Sequence, residues 1–127
     1  MDERTLFDSQ ACLGKHRSVI CGYFTTLNQA QFDETAALFA PEGELHPPVD
    51  DPVIGRSAIA AYLHQEGTGF YLEPLYYRVQ PCPDGQTQVC VLGRVRVCPF
   101  GSNVSWVFLL NSQGEIAWVK IELCSDD

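Results

Sequence analysis

Basic residues are scarce in this sequence: 8 Lys and Arg stand against 16 Asp and Glu, a formal charge of −8 over 127 residues. A chain whose main partner is nucleic acid or an anionic membrane needs a clustered Lys/Arg footprint, and here the basic residues are scattered. Nucleic acid and permanent residence on an acidic membrane are thereby excluded as the main role. Long apolar runs are also missing, since none approaches the ~20 residues that a membrane-spanning helix requires. The opening residues, Met1-Asp2-Glu3-Arg4-Thr5-Leu6-Phe7-Asp8, lack the basic start and apolar stretch of a secretory leader, so a reducing cytoplasm is the expected compartment. The six cysteines, Cys12, Cys21, Cys82, Cys90, Cys98 and Cys124, include no CxxC and no Cys/His spacing of a zinc site. They are expected as free thiols, with no metal bound. No internal repeat or low-complexity segment is present.

What remains is a chain that is 46% hydrophobic and 11% aromatic, enough to bury a real core in one domain. Residues 1–14 carry four charges without a sustained period and are expected as a flexible, loosely docked lead-in to a single domain over 15–127. Ile20, Tyr23, Phe24 and Leu27 fall at i, i+3, i+4 and i+7, which predicts a first helix from near Lys15 to Asn28. A second helix is expected over 32–39, stopped by Pro41 and Gly43. Residues 44–46 read as a short strand and 47–52, with Pro47, Pro48 and Pro52, as an extended loop. After Gly55, the run Ile59, Tyr62, Leu63 and Glu66 predicts a third helix, ended by Gly67 and Gly69.

The period then changes from 3.6 to 2. Strands rich in Val, Tyr, Phe and Trp are expected at 71–80, 87–98, 103–111 and 115–124, with hairpins at Pro81-Cys82-Pro83-Asp84-Gly85 and Asn111-Ser112-Gln113-Gly114 and a bend at Pro99-Phe100-Gly101. Alternation puts Val89, Val91, Gly93, Val95 and Val97 on one face and Cys90, Leu92, Arg94, Arg96 and Cys98 on the other. Val104, Trp106, Phe108 and Leu110 likewise share a face. The expected class is α+β: three N-terminal helices packed on a strongly curved antiparallel sheet, whose concave side can enclose an apolar cavity.

The stretches "YFTTLNQAQFDETAALFAPEGELHPPVDDPVIGRSAIAAYL" and "GRVRVCPFGSNVSWVFLLNSQGEIAWVKIEL" resemble the C-terminal domain of the orange carotenoid protein family, including its stand-alone homologues, within the nuclear transport factor 2-like superfamily. The marks are the Tyr-Phe pair of the first helix, "LHPPVDDPVIGR" and "NVSWVFLLNSQGEI". The resemblance implies a nuclear transport factor 2-like cone and a ketocarotenoid ligand of the canthaxanthin or echinenone type. It further implies that Tyr23 and Trp106 donate hydrogen bonds to the ligand's keto end. A keto oxygen withdrawn from water needs donors, and a phenol and an indole supply them while also forming apolar wall. Leu27, Val95, Val97, Phe100, Phe108, Ile121 and Leu123 are the candidate walls of the tunnel. Pigment storage, transfer to a separate helical homologue of the family's N-terminal domain, photoprotection by quenching of singlet oxygen, and a cyanobacterial source follow from the same resemblance. Glu66 stands where the full-length family members pair an acid with an Arg of the N-terminal domain.

A carotenoid is longer than the cavity of a 14.1 kDa domain, so two copies capping one pigment would keep its polyene out of water. A homodimer is therefore expected, open to a disulfide through Cys90, Cys98 or Cys124, with transient membrane contact for pigment uptake. The sequence departs from the family at Cys98-Pro99-Phe100-Gly101, where a second pigment-stacking Trp is missing. Two rival readings stand beside this one. A ketosteroid-isomerase-like or polyketide-cyclase-like enzyme would use His46 as base with Asp50 and Asp51 nearby. A pure dimerisation module would keep Tyr23 and Trp106 as core.

Overall fold

In the computed structural model, residues 5–6, 16–97 and 100–124 are described. In chain order the elements are β1 (Thr5–Leu6), α1 (Arg17–Asn28), α2 (Phe32–Ala36), β2 (Phe39–His46), β3 (Val53–Ile54), α3 (Arg56–Glu66), β4 (Tyr71–Pro81), β5 (Thr87–Val97), β6 (Phe100–Leu110) and β7 (Ile116–Cys124). The strands form one sheet in the order β1-β4-β5-β6-β7-β2-β3. The class is α+β, three helices on a curved sheet, as the change of period implied.

Helix α1 buries Val19, Ile20, Tyr23, Phe24 and Leu27, the face its 3.6-residue spacing defines. It ends on Ala30, which takes a left-handed φ of 59°. The Gln31 N–H then turns back to the Thr26 carbonyl at 2.8 Å, a helix exit usually given to glycine. Asn28 ties this end of the helix to the sheet. Its Nδ2 donates to the Leu72 carbonyl at 2.8 Å and its Oδ1 accepts from the Leu72 N–H at 2.7 Å, so the side chain replaces a missing strand partner on β4.

Three features differ from the sequence expectation. Helix α2 stops at Ala36 because Leu38 and Phe39 are drawn into the sheet: the Ile116 N–H donates to the Leu38 carbonyl, and Phe39 is the β2 residue opposite Ile116. Strand β2 therefore begins at Phe39 and runs through Pro41 and Gly43, whose irregular register opposite β7 accommodates them. It lies parallel to β7, so the sheet is mixed, because α3 and four further strands intervene in sequence before the chain returns alongside. Phe100 and Gly101 open strand β6, opposite Val97 and Arg96, where a bend was expected; Cys98 and Pro99 themselves lie outside the described residues.

Within the stretch read as a lead-in, Thr5 and Leu6 pair antiparallel with Tyr77 and Tyr76 on β4. The rest of that stretch lies outside the described residues.

Strand β4 carries a bulge between Pro74 and Tyr76, and opposite it Gly93 faces Pro74. A Cβ on Gly93 would stand 2.2 Å from the Glu73 carbonyl oxygen. Glycine is needed here for the close approach of two backbones at the point where the sheet curls.

Candidate functional site

The register of the three long strands sorts the inward side chains into rows. Val89, Phe108 and Val119 form one row, Val91, Trp106 and Ile121 the next, and Gly93, Val104 and Leu123 the next. Beyond these come the pairs Val95–Ser102 and Val97–Phe100. Burial is complete in the first row and lost by the last. Val89, Phe108 and Val119 are fully buried and Trp106 is 1% exposed, whereas Leu123 is 58% and Phe100 76% exposed. The cone is therefore filled at its narrow end and open at its wide end.

At the open end lies a cavity of about 370 Å³ lined mainly by apolar side chains. Tyr23, Leu27, Val95, Val97, Phe100, Trp106, Ile121 and Leu123 all line it. Phe108 does not. It shares the inward face of Trp106 but sits one row deeper, packed edge-on against Tyr23 at 5.0 Å, so it supports the wall instead of forming it. Alternation along a strand gives the face of a residue and not its depth.

Tyr23 and Trp106 stand at the floor, held by a ring that the sequence reading left out of the site. Phe24 meets Tyr23 at 5.2 Å and Trp106 at 4.9 Å, both nearly perpendicular, the edge-to-face geometry aromatic rings prefer. Among the described residues neither the Tyr23 hydroxyl nor the Trp106 indole N–H has a hydrogen-bond partner, yet neither is sealed into apolar packing. Both donors thus face the cavity. Burial pushes the Tyr23 phenol well above its ordinary pKa, so it stays a neutral donor across the physiological range.

The mouth is different in chemistry. Residues 47–50 form one side, with Tyr62 and Glu66 of α3 beside them, Phe70 just before β4 and Leu72 on it. The Tyr62 hydroxyl donates to Asp50 Oδ2 at 2.7 Å. Its phenol is raised by burial first, then by that hydrogen bond and by the charges of Asp50 and Glu66. The helical spacing had grouped Tyr62 with Glu66 on α3, but their meeting with the Pro-Pro loop is a tertiary fact with no local signal. Val49, Phe70, Val97, Phe100 and Leu123 leave an exposed apolar rim.

His46, the candidate base, does not line this cavity. It pairs with Glu44 at 2.8 Å and opens on a neighbouring hollow shared with Lys120 and Glu122. Among the described residues no cluster of His, Cys, Asp and Glu is suited to a metal, and no helix is long and apolar enough to cross a membrane. Cys124 is exposed, and Cys21, Cys82 and Cys90 are half-buried. Cys98 and Cys12 lie outside the described residues.

No family model matches the sequence. The orange carotenoid-binding protein of Synechocystis sp. is 34% identical over 114 residues, which cover 87% of this chain and 36% of that protein. The chain thus spans about a third of the curated relatives it matches. The orange carotenoid protein of Anabaena (Nostoc) sp. binding canthaxanthin superposes with a TM-score of 0.84 at 33% identity, over 98% of this chain and 41% of the other. An NTF2-like protein of Cytophaga hutchinsonii, 12% identical over 91% of this chain and 94% of its own, shares the fold with a TM-score of 0.68, and enzymes also share it. The chain is a homologue of the C-terminal domain of the orange carotenoid proteins and has the nuclear transport factor 2-like fold.

Proposed function

We propose, from this homology, that the protein is a non-catalytic carotenoid carrier that holds one end of a ketocarotenoid in the open cavity of the cone. The observation that carries the reading is the pair of donors, Tyr23 and Trp106, without a partner among the described residues, at the floor of a mainly apolar cavity. A terminal keto oxygen arriving there recovers in two hydrogen bonds what it gives up in leaving water, and the polyene behind it lies against aliphatic wall. Withdrawal of electron density toward that oxygen shifts the pigment's absorption to the red.

A cavity of about 370 Å³ is of the size that holds a small ligand, so it takes one end of the pigment and leaves the remainder outside. Val49 at 83%, Phe100 at 76% and Leu123 at 58% exposure give the mouth an apolar rim suited to a second copy around the same pigment. In this reading a homodimer stores the carotenoid, passes it to a helical partner and quenches singlet oxygen. Of the described thiols proposed to link the dimer, Cys124 is exposed, while burial raises the Cys90 thiol, with Arg78 opposing the shift and Cys124 and Glu122 adding to it.

The test is expression in cells that make canthaxanthin. The expected product is a coloured protein that elutes at dimer size with absorption to the red of the free pigment. Colourless protein, both from such cells and after mixing with canthaxanthin, overturns the proposal.

A further inference from the structure

The loop 47–52 is a partition between two hollows. On one side is the cavity of about 370 Å³; on the other is a more open hollow, lined on its own side by His46, Pro52, Lys120 and Glu122. Pro47, Pro48 and Asp50 of the loop line both, as do Ile121 and Leu123 at the end of β7. The loop is anchored at its ends by the pairing of Leu45 with Val53. Three of its six residues are prolines, which have no N–H to give. Among the described residues, the hydrogen bond from Tyr62 to Asp50 at 2.7 Å is the loop's one hydrogen-bonded tie to the rest of the molecule.

A wall with fixed ends, a single tie at its middle and empty space behind it can swing. We propose that residues 47–50 are a hinged wall of the cavity and that Tyr62 is the positioning residue that holds it shut. With the tie broken, the loop moves into the neighbouring hollow, and the mouth between α3 and the end of β7 widens. Resting on the cavity's proposed role as the pigment site, this makes the Tyr62–Asp50 pair the control on how fast a carotenoid end enters and leaves. The floor donors lie outside its reach.

The experiment uses the full chain with Tyr62→Phe, Asp50→Ala, Asp50→Asn and the double variant Tyr62→Phe/Asp50→Ala. Asp50 is exposed, so its replacement leaves the core intact. Two readouts need no pigment: acrylamide quenching of Trp106 in a Trp118→Phe background, and hydrogen exchange at Val49, Asp50 and Asp51. A third is the rate of canthaxanthin uptake from phosphatidylcholine vesicles.

Tyr62→Phe and Asp50→Ala are expected to raise quenching and loop exchange, and to speed uptake about fivefold, the shift expected from losing one partly exposed hydrogen bond. Asp50→Asn, which keeps an acceptor, falls between wild type and Asp50→Ala. The double variant adds nothing to either single one. Unchanged quenching and exchange in every variant overturns the hinge. So does an Asp50→Asn response as large as that of Asp50→Ala. If the quenching pattern holds while wild type takes up no canthaxanthin, the hinge stands and the carotenoid reading falls.

Discussion

Tyr23→Phe separates a ligand donor from a core residue, because the two roles predict opposite profiles. The ring is 1% exposed and packs edge-on against Phe24 and Phe108, contacts that phenylalanine keeps. Among the described residues the hydroxyl has no partner, so its removal breaks no hydrogen bond to them. The stability of the pigment-free protein should therefore change by less than about 0.5 kcal/mol, roughly 2 °C in melting temperature for a domain of this size. A buried tyrosine with a local partner would lose about 1–3 kcal/mol instead. On the ligand side, one hydrogen bond to a buried carbonyl is worth about 1 kcal/mol, or roughly fivefold in retention, and its loss moves absorption toward the blue. Calorimetry of the pigment-free variant and absorption spectra of the loaded one decide the matter. A melting temperature lowered by more than about 5 °C with an unchanged spectrum would refute the assignment.

The same geometry fixes three further outcomes. Ala30→Gly should stabilise the protein by about 0.5–1 kcal/mol in urea melts, since it removes a side chain from a left-handed position at the end of α1. Gly93→Ala should destabilise it by about 3 kcal/mol, because the new Cβ meets the Glu73 carbonyl and the Pro74 backbone, which can yield only if β4 separates from β5. The third outcome is alkaline unfolding. A phenol ionises near 10 when the chain is unfolded, while Tyr23 is held protonated to higher pH by burial, so the unfolded state releases its proton first. Tyr23 therefore costs the fold nothing below about pH 10 and draws stability down as pH climbs above it. Stability measured against pH should fall less steeply there in Tyr23→Phe.

Elements whose partners are close in sequence were legible in it. The face of α1 and the alternation of β5, β6 and β7 follow from side-chain spacing, and the hairpin between β6 and β7 follows from Asn111 to Gly114, where the Asn111 Oδ1 accepts from the Gln113 and Glu115 N–H groups. The start of β2 was not legible. Phe39 continues a helical pattern locally, and only Ile116, far along the chain, draws it into a strand. Trp106 was placed on the inward face by alternation alone, but alternation equally placed Phe108, and the row that separates floor from core depends on where the sheet curls around Gly93. Tyr62 was visible as a helical residue and Asp50 as a loop residue; their meeting was not, because no local rule brings a proline-rich loop onto a particular helix.

The polar groups along the cavity stand at two separate levels. Proton abstraction needs a base within reach of the atom whose developing charge the donors stabilise. Here the acids are on residues 47–50 and α3 at the mouth, whereas Tyr23 and Trp106 stand at the floor, each packed edge-on against Phe24. The row of Gly93, Val104 and Leu123 separates the two levels on the sheet side and carries no titratable group. Asp50 is already engaged with Tyr62, and His46 faces the other hollow. An acceptor that reaches the floor thus meets two neutral donors and, among the described residues lining that level, no base.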